Sequence, residues 1–227
     1  MKKVLLLIFA LFVMNNAFSQ EKKWGIKVAG NLSSMSDVVE KYPKDDDGYH
    51  ITQKDGSGAF IGFHVGVFAN LKWSRMINFQ PELLFSMQGA KHKQNSGLGG
   101  PVWEHLTFKF GYIQLPLLLE INPIANLGIL VGPQLGLNVS RKVTTTPFYD
   151  SNYKTSISGS DFDNRYYGVK KFDAAMVFGL QYTVQRVIVG ARYNLGLKNS
   201  NDFPTDYGSH WKGWKSNVIQ VSLGFSL

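Results

Sequence analysis

Eight stretches of this chain alternate apolar residues with small or polar ones, and the gaps between them are alternately long and short. The last stretch shows the pattern most plainly: Ile219, Val221, Leu223, Phe225 and Leu227 interleave with Gln220, Ser222, Gly224 and Ser226. A repeat of two residues puts the two sets on opposite faces of a strand. Strands are expected at about 24–33, 59–71, 77–91, 107–121, 127–140, 172–182, 186–197 and 216–227. Tight turns follow the second, fourth and sixth of these, at 72–76, 122–126 and 183–185. The other connections, about 34–58, 92–106, 141–171 and 198–215, are long and polar. Short turns at one end and long loops at the other describe an all-β, eight-stranded antiparallel up-and-down transmembrane β-barrel of the kind found in Gram-negative outer membranes. Both chain termini then belong at the short-turn, periplasmic end.

Alternation alone does not say which face meets lipid, because a soluble barrel of lipocalin type would bury the apolar set and wet the other. The polar set decides. It is rich in Gly and its charges are few, namely Lys27, Glu82, Glu120, Asp173 and Arg192. A water-facing surface would carry many more. The apolar set, including Phe63, Val65, Leu83, Phe85, Ile113, Leu115, Leu135, Phe178 and Val189, is expected to carry none. Lipid outside and a tight lumen inside fit both observations. Phe68, Leu84, Leu118, Leu130 and Ile188 then point inward, which leaves no room for a general diffusion channel. Trp24, Trp73, Tyr112, Tyr182, Tyr193 and Trp214 fall near strand ends, where amphipathic rings favour the headgroup level.

The first residues account for export. Lys2 and Lys3 precede an apolar run, Val4–Met14, that is too short to span a bilayer as a helix. Ala17-Phe18-Ser19 places small residues where a signal peptidase reads them, so residues 1–19 are expected to be a cleaved signal peptide and 20–227 one barrel domain. The formal charge of +8 falls to +6 when Lys2 and Lys3 leave with that segment. The remaining positive residues are scattered, so nucleic acid is not an expected partner and outer-membrane lipid is. The chain has no Cys, which excludes disulfides, thiol chemistry and a lipid-modified cysteine.

Particular motifs carry a resemblance. Gly62-Phe63-His64-Val65-Gly66-Val67-Phe68-Ala69-Asn70 is followed by Phe79-Gln80-Pro81-Glu82-Leu83-Leu84-Phe85-Ser86. Then come Tyr112-Ile113-Gln114-Leu115-Pro116-Leu117-Leu118-Leu119, Gly132-Pro133-Gln134-Leu135-Gly136 and Gly190-Ala191-Arg192-Tyr193-Asn194-Leu195-Gly196-Leu197. In this order they resemble the Bacteroidota outer-membrane β-barrel family that includes the PorT-like proteins. The resemblance implies an eight-stranded barrel and, through its PorT-type members, a part in protein secretion. A secretion-system or surface protein partner follows as an expectation.

Chemistry is sparsely signalled. In so narrow a lumen Lys27, Glu82, Glu120, Asp173 and Arg192 must pair or be hydrated. They are expected to form one charge network, with Arg192 bound by Glu82 or Glu120 and with Gln80, Gln114, Gln134 and Asn194 as hydrogen-bonding filler. A small-solute or ion path through the barrel is the alternative use of the same residues. Asp45-Asp46-Asp47-Gly48 and Asp161-Phe162-Asp163-Asn164 lack the spacing of calcium loops, and the five His residues show no zinc spacing, so neither metal nor cofactor is expected. Asp202, Asp206, Ser209 and His210 share one long loop, but a nucleophile and base need hydrogen-bond proximity that loop sequence does not establish. A non-enzymatic role is therefore the expectation. The working surface is placed in the long loops at 34–58 and 141–171, which offer Tyr42, Tyr49, Phe148, Tyr149, Tyr153, Tyr166 and Tyr167. The terminal strand, with Gln220, Phe225 and Leu227, resembles the signal read by the barrel-assembly machinery, which makes that machinery a partner during insertion.

Overall fold

The computed structural model describes residues 22–36, 58–95, 103–147, 155–158, 170–198 and 215–227. The expected signal segment, Trp214, the loop aromatics and the residues weighed for calcium and for hydrolysis lie outside them. The strands are β1 (Lys22–Ser36), β2 (Gly58–Lys72), β3 (Ile77–Asn95), β4 (Trp103–Ile124), β5 (Leu127–Pro147), β6 (Thr155–Ser158), β7 (Phe172–Val184), β8 (Val187–Gly196) and β9 (Lys215–Ser226). Each of β1 to β5 is antiparallel to the next, β7 follows β5 in the ring, and β9 returns to β1. The result is a closed barrel of eight strands with no free edge in the wall. β6 stands outside the ring, paired with β5 at Lys142–Thr145.

Register fixes what can meet across the lumen. From Lys27, paired residues run through Gly66, Leu84, Gln114 and Gly136 to Asp173 on β7. In the other direction they run through Gly224 and Ile188 to Thr183 on the same strand. Asp173 and Thr183 are ten residues apart, so the barrel closes with a shear of ten. Such a stagger tilts the strands roughly 40° from the axis and leaves an interior that side chains fill.

The faces divide as period two requires. Ile26, Val65, Leu83, Phe85, Ile113, Leu135, Phe178, Leu180, Val189, Val221 and Leu223 are all exposed on the outer surface. So continuous an apolar belt is the surface a barrel turns toward hydrocarbon, and in water it would drive association. Phe68, Leu84, Leu118, Leu130 and Ile188 are buried inside. At Gly66 and Gly132 a Cβ would collide with the carbonyl oxygens of Leu83 and Leu117 respectively, so only glycine lets neighbouring strands approach there.

Three expectations need correction. Tyr112 is not a headgroup anchor: it shares the inward parity of Gln114, Leu118 and Glu120 and is buried in the lumen, and β4 runs nine residues beyond it, to Trp103. Trp24, Trp73, Tyr182 and Tyr193 do lie exposed on the outside. The long connections at 92–106 and 141–171 are partly strand, since β3, β4 and β5 extend to 19, 22 and 21 residues and β6 adds to them. About 9–11 tilted residues cross a bilayer, so these ends project beyond it. There the pattern changes to Lys91-His92-Lys93-Gln94-Asn95 and Arg141-Lys142-Val143-Thr144-Thr145-Thr146. Alternation of hydropathy ends where lipid does, while pairing continues. The apolar face is also not free of charge: Lys91 and Lys109 stand exposed at the long-loop ends of β3 and β4.

Candidate functional site

Glu82 is the centre of the lumen. It comes from β3, and the shear brings to it Lys27 from β1 and Arg192 from β8. Lys27 Nζ donates to Glu82 Oε1 at 2.7 Å. Arg192 engages the carboxylate with both arms, Nη1 to Oε2 and Nη2 to Oε1, each at 2.7 Å. Gln80 Nε2 donates to Oε1 at 2.6 Å, the fourth hydrogen bond on the carboxylate. All four side chains are buried. Two cations thus share one carboxylate, and the guanidinium fork supplies the geometry that a lysine cannot. Phe68 closes one side, its ring centroid 5.2 Å from Lys27 Nζ.

Glu120, from β4, meets neither cation. Its Oε1 accepts from Gln181 Nε2 at 2.7 Å, and its Oε2 accepts from Asn78 Nδ2 at 2.9 Å and from Asn70 Nδ2. Gln181 also donates to Gln80 Oε1 at 3.1 Å, which joins this amide-caged carboxylate to the triad by hydrogen bonds alone. Of the two carboxylates weighed for Arg192, the structure therefore brings Glu82 to it and leaves Glu120 nearer the short turns. Asp173 stands apart at the long-loop end of β7, opposite Gly136, where its carboxylate accepts from the Ala174 amide at 2.9 Å. The five inward charges are thus not one network: three form the triad, one is linked to it through amides, and one is separate.

On the long-loop side of the triad the lumen is polar. His64 Nδ1 lies 3.2 Å from Asn31 Oδ1, and Asn31 Nδ2 donates to Ser86 Oγ at 3.0 Å. Asn194 Nδ2 reaches Gln134 Oε1 at 3.5 Å. His64 Nε2, Gln114 Oε1, Asn194 Oδ1 and Gln220 Nε2 are buried without a protein partner, which is the chemistry of a site for internal water. Of the residues named for the terminal insertion signal, Phe225 and Leu227 face outward, whereas Gln220 is buried in this lumen layer. Asn70, Asn78 and Gln181 were not among the expected site residues. Their signal was available, because each shares the strand parity of an inward neighbour.

The family profile described as outer membrane protein beta-barrel domain matches residues 18–202. Comparison with curated protein sequences finds no match. Among solved structures, the chain is similar to Ail, the attachment invasion locus protein of Yersinia pestis, with 13% identity, 92% of this chain and 100% of that one covered, and a TM-score of 0.41. It is similar also to Neisserial surface protein A, with 10% identity, 91% and 99% covered, and a TM-score of 0.43. A third is OprG from Pseudomonas aeruginosa, with 12% identity, 92% and 99% covered, and a TM-score of 0.36.

Proposed function

The chain belongs to the outer membrane protein beta-barrel domain family, and from that premise we propose that it is a non-enzymatic interaction protein that engages its partner at the long-loop end. The short turns and both ends of the barrel domain then face the periplasm. The observation that carries this reading is the sheet of β3, β4, β5 and β6, which continues past the lipid belt above a filled lumen. β6 pairs with β5 along one side, and among the described residues no strand pairs with its other side. An edge of this kind can accept a further strand from another protein. The resemblance to PorT-like proteins favours a partner in secretion, and the alternating end of β9, with outward Phe225 and Leu227, favours recognition by the barrel-assembly machinery during insertion.

The test is in-cell photo-crosslinking from Thr155 or Ser158, with cargo secretion measured in parallel. A defined crosslinked partner that is lost on Ser156→Pro, in a barrel that still folds, supports the reading. Unchanged partners and unchanged secretion after removal of β6 would count against it. The buried, partnerless polar atoms of the upper lumen favour a second reading, a narrow water-filled path for ions, which bilayer recording addresses.

A further inference from the structure

The short turns do more than reverse the chain. A cavity of about 480 Å³ opens at this end of the barrel, and residues of all three turns line it. Arg75 comes from the β2–β3 turn and Arg186 from the β7–β8 turn, on opposite sides of the ring, while Lys23 and Lys72 come from β1 and β2. Glu120 is the one acidic side chain in the lining. Both of its oxygens are already taken by the amides of Asn70, Asn78 and Gln181, so it does not turn outward to neutralise the mouth. Among the described residues no ion pair involves Lys72, Arg75 or Arg186.

Backbone conformation adds a second observation. Gln185 holds a φ of 54° and Asn126 a φ of 70°, both in the left-handed region and both in turns that line this cavity. Asn tolerates that region readily, and Gln enters it where a tight turn demands it. The Gln185 φ belongs to the two-residue hairpin turn Gln185-Arg186 between β7 and β8, which sets Arg186 at the mouth. Lys72, Arg75 and Arg186 converging on one cavity, whose one side-chain carboxylate is already held by amides, are the chemistry of oxyanion recognition. We propose that the short-turn mouth binds a ligand bearing phosphate or paired carboxylates. Entry along the barrel axis suits a soluble anion, and a phospholipid headgroup curling over the rim offers the same chemistry.

The site is tested with pyrophosphate as the probe, titrated into the folded barrel in zwitterionic nanodiscs at low salt and followed by calorimetry and amide NMR shifts. The expected result is one saturable site, with shifts confined to the three short turns and the ends of β1 and β9. Arg75→Gln combined with Arg186→Gln should weaken binding at least tenfold. Lys91→Gln combined with Lys142→Gln removes the same charge from the long-loop end and should leave affinity within twofold. Weaker pyrophosphate binding in nanodiscs containing anionic phospholipid identifies the headgroup as the competing source, and equal binding identifies a soluble one. Equal loss in the two double variants, shifts at the long-loop end, or no saturable binding would overturn the proposal. Retention of heat-modifiable mobility by each variant separates loss of binding from loss of fold.

Discussion

Arg192→Ala removes two of the four hydrogen bonds on Glu82 and leaves Oε2 with no donor. Taking one partner from a buried ion pair typically costs about 3–5 kcal/mol, because the remaining charge stays in a poorly solvating site. Here Lys27 and Gln80 still hold Oε1, and the polar upper lumen lets water reach the gap. The loss should therefore fall near the lower bound, about 3 kcal/mol. Glu82→Gln should be worse than Arg192→Ala, since it leaves two buried cations facing each other without a carboxylate. Adding Glu82→Gln to Arg192→Ala should cost less than the sum of the two, because the pair is coupled. Adding Glu120→Gln to Arg192→Ala should recover nothing, because Glu120 is held by amides and does not touch Arg192. Reversible urea unfolding of the barrel in lipid vesicles, followed by tryptophan emission, gives these differences. Arg192→Ala within 0.5 kcal/mol of the parent, far below the roughly 3 kcal/mol expected, would refute a buried, coupled triad.

Planar-bilayer recording of the purified monomer should show no large, stable conductance steps, because Phe68, Leu84, Leu118 and Leu130 fill the lumen around the triad. Gly132→Val should prevent folding or lower stability by more than about 2 kcal/mol, by analogy with overpacking, since a Cβ there meets the backbone of Leu117; urea midpoints read it. The absence of native Cys allows clean single-cysteine mapping. Ser158→Cys should react with a membrane-impermeant maleimide on intact cells, while Gln185→Cys should react only after the outer membrane is opened. Phe225→Asp should slow assembly, seen as accumulation of unfolded precursor in pulse-chase, if the terminal strand is read during insertion.

Side-chain parity was legible from alternation alone, and it places Lys27, Glu82 and Arg192 on one face of the wall. Partner choice was not. Arg192 and Glu82 sit on β8 and β3, which are not neighbours, and they meet only because a shear of ten carries them to one level. Another stagger would have carried Arg192 toward Glu120. Tyr112 was misplaced because nearness to a strand end was weighed above its parity with Gln114, Leu118 and Glu120, and the upper parts of β3, β4 and β5 were hidden because hydropathy stops alternating where lipid stops. Arg75 and Arg186 escaped notice because turn residues carry no periodic signal, and their convergence depends on closure of the ring. The paired strand β6 was hidden for a similar reason, being four residues of polar and β-branched type beside a longer polar stretch.

Both the triad and the short-turn mouth require a closed barrel with its apolar face in lipid, and gel mobility of the membrane-fraction protein tests that directly. Unheated in SDS, the mature protein should resist urea extraction from outer membranes and migrate faster than after boiling, because the closed ladder survives detergent until heated. Recovery as a soluble periplasmic species with the same mobility heated or unheated would contradict it.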